Sequence, residues 1–244
     1  MGIYGKSQMN EKVALVTGAS RGIGLAISKV LLELGYIVYG ICRYPNQSEF
    51  QNQNFHFIEC DLSNPKQIQK LIDSFPNRDR LHVIVNNAGF AQFGPIEELS
   101  PEKMIEMVQV NLTAPILITN GFTRYLKQNE GHIFFIGSVS GNLVSPWGNV
   151  YGSLKAGLHH FSRSLFDELR KYLVKVHLLV PDITKTNFYE DLNIEPDSDT
   201  SSYLLPEQIA TVVKQILLDE SGMLVHETHI SPQLFKIKRK KFLK

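Results

Sequence analysis

Short apolar runs alternate with stretches of three- and four-residue apolar period along this chain, and the alternation predicts a parallel sheet covered by helices. The run at 13–16 is followed by Ile23, Ala26, Ile27, Val30, Leu31 and Leu34, one face of a helix that Gly35 ends. Runs at 36–42 and 55–60 predict the next two strands, and Ile68, Leu71, Ile72 and Phe75 mark a helix over 65–75. The fourth, fifth and sixth strands fall at 81–85, 132–137 and 174–180, separated by long helical stretches around 101–126 and 150–172. Ile209, Val212, Val213, Ile216 and Leu217 give a last amphipathic helix behind Pro206, which sits where a first-turn proline is tolerated, and 223–230 supplies a final strand. The expected architecture is a single-domain, doubly wound α/β fold over 1–244: a seven-stranded, mainly parallel sheet with helices on both faces.

Two segments escape this order. Residues 185–205 are rich in Asp, Asn, Ser, Pro and Glu with scattered Phe188, Tyr189 and Leu192, and read as a loop able to act as a lid over a substrate. The tail 236–244, KIKRKKFLK, is locally basic and reads as a solvated charged terminus with no assigned role. Residues 1–11 are expected to be a flexible terminus; Gly2 invites an N-myristoylation reading, but Lys6 stands where that pattern wants Ser or Thr.

Composition narrows the function. A hydrophobic fraction of 43% over 244 residues is enough for a sizeable core and excludes disorder. Lys plus Arg number 25 against 24 for Asp plus Glu, so charge points to neither nucleic acid nor a membrane surface as partner. No stretch approaches the roughly 20 apolar residues of a membrane span. Cys42 and Cys60 make no disulfide framework and stand in no His/Cys cluster of zinc spacing, so no metal is expected and a reducing cytoplasm fits.

Candidate chemistry begins after the first strand, where Thr17-Gly18-Ala19-Ser20-Arg21-Gly22-Ile23-Gly24 leads straight into a helix. A glycine-rich turn feeding a helix N-terminus leaves backbone N–H groups aimed outward with partial positive charge behind them, which suits a pyrophosphate. The spacing is Gly-x-x-x-Gly-x-Gly, not the Gly-x-Gly-x-x-Gly of the general dinucleotide fingerprint. The second strand ends without an acid but with Arg43, and Arg21 lies in the turn. Two guanidiniums suit a ribose 2′-phosphate, so the expected cofactor is NADP (NADPH).

Tyr151 and Lys155, four apart at the start of a helix, project from one face. A nearby ammonium favours a phenolate, so Tyr151 is the candidate general acid/base, and Ser138 at the end of the fifth strand is positioned to hydrogen-bond the same substrate oxygen. Taken together with Asp61-Leu62, Asn86-Asn87-Ala88-Gly89 and Asn111, these motifs stand in the order found in the short-chain dehydrogenase/reductase family, which the chain resembles from about Lys12 to the last strand. The resemblance implies an NADP-dependent interconversion of a secondary alcohol and a carbonyl on a small-molecule substrate. It implies that Asp61 and Leu62 lie near adenine, that Asn87, Ala88 and Gly89 join the cofactor site, and that Lys155 binds the nicotinamide ribose. It further implies that Asn111 holds a water of a proton relay, and that Ile183 and Thr186 contact the nicotinamide carboxamide and phosphates.

One departure stands out: Pro181-Asp182 replaces the family's usual Pro-Gly. Two readings are open, an Asp182 that narrows the pocket and selects a polar or cationic group, and one that tolerates the turn and points to water. Phe90, Trp147, Phe188 and Tyr189 line an apolar pocket on one reading and belong to the core on the other. A homodimer or homotetramer is expected from Met104, Ile105 and Val108 on one long helix with Leu158, Phe161 and Leu165 on the other.

Three motifs are set aside. His226 and His229 are three apart in an expected strand and face opposite sides, unlike a zinc-protease pair. Residues 191–199 lack the glycine and closing glutamate of a calcium loop. His159 and His160 are assigned to the surface or a subunit interface. The competing function is a non-catalytic NADP-binding sensor or scaffold on the same fold.

Overall fold

Six parallel pairings join seven strands into one sheet in the computed structural model, which describes residues 11–45, 50–190 and 192–240. The strands are β1 (Val13–Thr17), β2 (Ile37–Cys42), β3 (Phe55–Glu59), β4 (Leu81–Asn86), β5 (His132–Ile136), β6 (Lys175–Pro181) and β8 (Glu227–Ile230). Their order is β3-β2-β1-β4-β5-β6-β8, so the chain reverses its direction of travel between β1 and β4. Every residue of β1 is buried, and β4, β5 and β6 are buried but for a single position each, as covered strands of a doubly wound sheet must be.

Helices cover both faces. On one, α2 (Pro65–Ser74), α4 (Ala114–Asn129) and α5 (Asn149–Leu169) send Ile68, Phe122 and Leu158 into a core with Leu15, Ile84 and Phe135. On the other, α1 (Gly22–Glu33) and α6 (Pro206–Leu218) pack Ile27, Leu31, Ile209 and Val213 against Val16, Val85 and Phe134. Local chemistry sets the ends. Asn64 accepts the Lys66 N–H at the start of α2, Ser100 that of Lys103 at the start of α3 (Pro101–Val108), and each of these helices, like α6, begins with proline. Gly35, at φ +83°, turns the chain out of α1.

The expected helix over 101–126 is broken. A π turn at Gln109–Thr113 joins α3 to α4, with the Ala114 N–H reaching back five residues to the Gln109 carbonyl. Pro115 has no N–H to give the carbonyl four residues earlier, that of Asn111, and the wider turn accommodates the ring. The last strand of the sheet is shorter than expected, because β8 pairs only with Leu178–Pro181 of β6.

The segment 185–205, read from sequence as a candidate lid, is not a bare loop. It holds short 3₁₀ turns at Asn187–Tyr189 and Thr200–Ser202, a strand β7 (Ile194–Pro196), and buried Leu192 and Leu204. The tail holds a strand that was not expected: Ile237–Arg239 forms β9, antiparallel to β7, while its side chains stay exposed to solvent. The proposed subunit faces also change. Ile105 and Val108 are exposed, but Leu158 and Leu165 are buried in the chain's own core and Phe161 packs on Phe135. Gly2, Lys6, Asp191 and residues 241–244 lie outside the described residues.

Beneath the sheet, His132 and His177 stack on β5 and β6, with His132 Nδ1 3.1 Å from His177 Nε2 and His177 Nδ1 2.6 Å from the Val225 carbonyl. Burial pushes His132 down to about 3 and His177 down to about 4. These folded values lie below that of an unfolded imidazole, so the stability the neutral pair contributes is complete above about pH 6.5 and is lost as pH falls towards 4. Denaturant unfolding at pH 7.5 and pH 5 is expected to show a loss of up to about 1.4 kcal/mol per pH unit per imidazole below that point. A His132→Gln, His177→Gln double variant should lose the part of this slope that the pair supplies.

Candidate active site

The carboxyl ends of β1, β4 and β5 open into one large cleft at the point where strand order reverses, the place where doubly wound sheets hold ligands. The cleft has a volume of about 640 Å³, and the glycine turn, Arg21, Arg43, Asp61, Leu62, Ser138, Tyr151, Lys155, Ile183 and Thr186 all line it.

At one end, the turn between β1 and α1 places Gly18 and Gly22 at φ +66° and +55°, which an L side chain rarely adopts. A Cβ on Gly24 would sit 2.3 Å from the Gly18 carbonyl oxygen, and one on Gly22 would press on Thr186 at 3.3 Å. Thr17 and Asn87 lock the turn to β4. Thr17 Oγ1 accepts from the backbone N–H groups of Asn87 (2.9 Å) and Ala88 (3.0 Å), while Asn87 Nδ2 donates to the Thr17 and Gly18 carbonyls. Thr17 thus acts as a pin that motif reading passes over. Arg21 and Arg43 stand on this rim, tied to Glu190 at 3.4 Å and Glu106 at 3.5 Å in exposed pairs that water screens strongly. Asp61 Oδ1 accepts from the Ser63 backbone N–H and hydroxyl.

The other end is dry. Tyr151 and Lys155 lie buried on the inner face of α5. Lys155 Nζ donates to the Ile136 carbonyl at 2.9 Å and lies 5.7 Å from the Tyr151 ring centroid. Burial and the neighbouring Tyr189 push the Tyr151 phenol up, against a smaller lowering by its hydrogen bond with Ser138. Burial pushes Lys155 down to about 8. Desolvation is the largest influence on both groups, raising the phenol and lowering the ammonium.

Asn111 is fully buried in the π turn, with Nδ2 donating to the carbonyls of Phe90 (2.9 Å) and Met107 (3.0 Å). Its Oδ1 has no hydrogen-bond partner, and a Cβ on Gly89 would lie 2.6 Å from that oxygen and 3.7 Å from Lys155 Nζ. An unpartnered buried acceptor beside a lysine is costly unless something donates to it.

His159 departs from the expectation. It is not a surface residue: Nε2 accepts the Ser138 backbone N–H at 3.3 Å, and Nδ1 contacts Asn142 Oδ1 at 3.2 Å. Burial, followed by the charge of Lys155, pushes it down to about 4, so it is a neutral prop behind Ser138. His160 is exposed, and His226 stacks on Phe166.

Phe90, Trp147, Phe188 and Tyr189 all line the cleft, with Phe188 5.7 Å from the Tyr151 ring. Phe93, not singled out by the sequence, meets that ring edge-on at 5.9 Å. Asp182 also lines the cleft, its Oδ1 accepting the Ile183 N–H at 2.7 Å; its backbone needs no positive φ, so the usual glycine is not required here.

Residues 12–197 match the profile of the short chain dehydrogenase family, and the chain belongs to that family of oxidoreductases. It is 28% identical over 239 residues to the 3-oxoacyl-acyl-carrier-protein reductase FabG of Vibrio cholerae, covering 93% of this chain and 98% of the relative. An uncharacterized oxidoreductase of Staphylococcus epidermidis is 31% identical, covering 93% and 99%. Among solved structures, the alcohol dehydrogenase of the archaeon Thermococcus sibiricus complexed with 5-hydroxy-NADP superposes with a TM-score of 0.79 at 27% identity, covering 95% of this chain and 100% of that one.

The Thr17 pin is testable by unfolding. Thr17→Val keeps shape but orphans two backbone donors, and is expected to cost about 1–3 kcal/mol for each donor left unpaired, while Thr17→Ser retains most of the stability.

Proposed function

We propose that the chain is an NADP(H)-dependent oxidoreductase that interconverts a secondary alcohol and a carbonyl on a small-molecule substrate. The observation that carries this reading is a buried Tyr151 with Lys155 5.7 Å from its ring and Ser138 on the same wall, at the inner end of the cleft that starts in the glycine turn.

The residues fit the cofactor. Gly18 and Gly22 line the cleft at the head of α1 with bare backbone in conformations an L side chain rarely adopts, Gly24 lets that turn close on the Gly18 carbonyl, and the buried Asn111 Oδ1 has no donor. The turn, with Ser20 and Ile23, would hold the pyrophosphate, and Arg21 and Arg43 the 2′-phosphate. Asp61 and Leu62 would flank adenine, with Asn87, Ala88 and Gly89 along the middle; Tyr151, Lys155, Ile183 and Thr186 would meet the nicotinamide half. When bound, NADP(H) supplies or accepts the hydride.

The chain's own groups then do three things. Tyr151, kept protonated by burial, donates its proton to the carbonyl oxygen as reduction proceeds and retrieves it in the reverse direction. The Ser138 hydroxyl donates to that oxygen as its negative charge grows, and His159 fixes the backbone that carries it. Lys155, brought down to about 8, exchanges protons near neutral pH, and Asn111, short of a donor at Oδ1, supports a water path outward. Buried, unpaired Cys42 and Cys60 fit a cytoplasmic setting, and exposed Ile105 and Val108 offer apolar positions for a homo-oligomer.

Tyr151→Phe is expected to lower kcat roughly 10²- to 10⁴-fold with NADPH affinity retained. Near-normal turnover in that variant overturns the mechanism, and tight NADPH binding with no turnover by the wild type on a broad carbonyl panel moves the reading to a sensor or scaffold. Calorimetric titration of Arg21→Ala and Arg43→Ala should show NADPH binding weakened roughly 10- to 100-fold each, with NADH unmoved. Equal losses for the two cofactors would remove the two-arginine clamp.

A further inference from the structure

Beyond the Tyr151 ring the cleft widens into an apolar mouth. Leu143, Val144 and Trp147, on the connection between β5 and α5, line it from one segment, and Phe235 and Ile237 line it from the C-terminal segment. All are strongly exposed, from 43% for Ile237 to 100% for Val144. Large apolar side chains from distant parts of the chain, gathered and left in water around one opening, mark a binding surface.

The C-terminal segment is built for this place by strand alternation. Phe235, Ile237 and Arg239 form one parity set: the first two line the cleft, and the Arg239 guanidinium lies 5.2 Å from the Trp147 ring centroid. Lys236, Lys238 and Lys240 form the other, and they bind the lid. Lys236 meets Asp199 at 2.8 Å, Lys238 meets Glu195 at 3.6 Å, and Lys240 Nζ donates to the Tyr189 and Glu190 carbonyls. Backbone bonds from Leu234 N–H to the Ser201 carbonyl and from Lys240 N–H to the Asn193 carbonyl, both 2.9 Å, close the ends of the β7–β9 ladder.

We propose that residues 234–240 are the outer wall of the substrate site and make the protein selective for carbonyl compounds or alcohols that carry an elongated apolar group. This rests on the oxidoreductase reading above and deepens it. The occupant is a small amphiphile because the mouth is continuous with the cleft that holds Tyr151. The lysines are spent on the lid, so the basic tail serves as a staple, with the apolar parity facing the ligand.

Trp147 is the chain's single tryptophan, so its fluorescence reads the mouth directly, whether or not turnover occurs. The experiment titrates the full chain, with NADPH present, with a series of linear 2-alkanones from butanone to dodecanone. Dissociation constants are expected to fall roughly two- to four-fold per methylene until the mouth is spanned. Phe235→Ser and Ile237→Ser should flatten that dependence. Lys236→Asp should flatten it as well, and combining it with Asp199→Lys should restore it, which separates the staple from misfolding. A flat series in the wild type overturns the proposal, as does a length dependence that the wall variants leave intact. A fluorescence series that behaves as expected, with no NADPH oxidation on any ketone, defeats the oxidoreductase reading while leaving the apolar mouth in place.

Discussion

A parallel sheet buried on both faces satisfies its backbone along the ladder but not at its ends, where each strand's last carbonyls emerge with no partner beside them. The residues that answer this demand are those that build the site. Lys155 Nζ takes the Ile136 carbonyl of β5, Asn87 Nδ2 the Thr17 carbonyl of β1, and Thr17 Oγ1 donates to the Val85 carbonyl of β4 at 3.3 Å. The Gly18 N–H takes the Ile41 carbonyl of β2, the Gly137 N–H the Leu179 carbonyl of β6, and the Asp182 N–H the Ile230 carbonyl of β8. Fold closure and site assembly are therefore one accounting. A change at Lys155 removes a group that the cleft presents and at the same time orphans a buried strand end, and a change at Thr17 orphans a strand end and unpins the turn beside the cleft.

The same dryness sets the protonation states. Tyr151 and Lys155 are both buried, and desolvation moves them apart, the phenol up and the ammonium down, so burial favours the neutral form of each. His159, neutral behind Ser138, adds no charge that would upset this balance. An ionised residue there would repel the ammonium of Lys155 or compete with the phenol for it. A neutral imidazole offers one acceptor and one donor, matching the Ser138 N–H on one side and the Asn142 side-chain oxygen on the other.

The layers of the fold were legible because burial on two faces forces apolar periodicity, and all seven strands appear where runs were read. So were the motif residues, since Gly18, Gly22 and Gly24 are required by backbone shape and Tyr151 and Lys155 by helical spacing. Partners supplied by tertiary packing were not legible. His159 reads as one more residue of a long helix until β5 is laid under it, and Leu158 and Leu165 read equally well as a subunit face until the core claims them. The π turn lay within reach, because Pro115 four residues after Asn111 announces a carbonyl without its donor; apolar period alone spans that break and hides it. The strand in the tail was not legible because charge dominates KIKRKKFLK on inspection, while its alternation acquires meaning only when β7 is there to receive it.

Floor and roof of the cleft are held by different physics. The floor joins groups that are buried, where each bond is hard to exchange because the freed partners have no water to turn to. The roof joins lid and C-terminal segment through a three-residue ladder and ion pairs in open solvent, Lys236 with Asp199 and Lys238 with Glu195, whose ends water can solvate as soon as they part. Arg21 to Glu190 ties the roof to the glycine turn in the same exposed manner. Buried contacts hold Tyr151, Ser138 and Lys155 in register, and the contacts above them are ones that part at little cost. That division puts the aromatic ring of Phe188 at the boundary, packed against Tyr151 from below and carried by the lid from above.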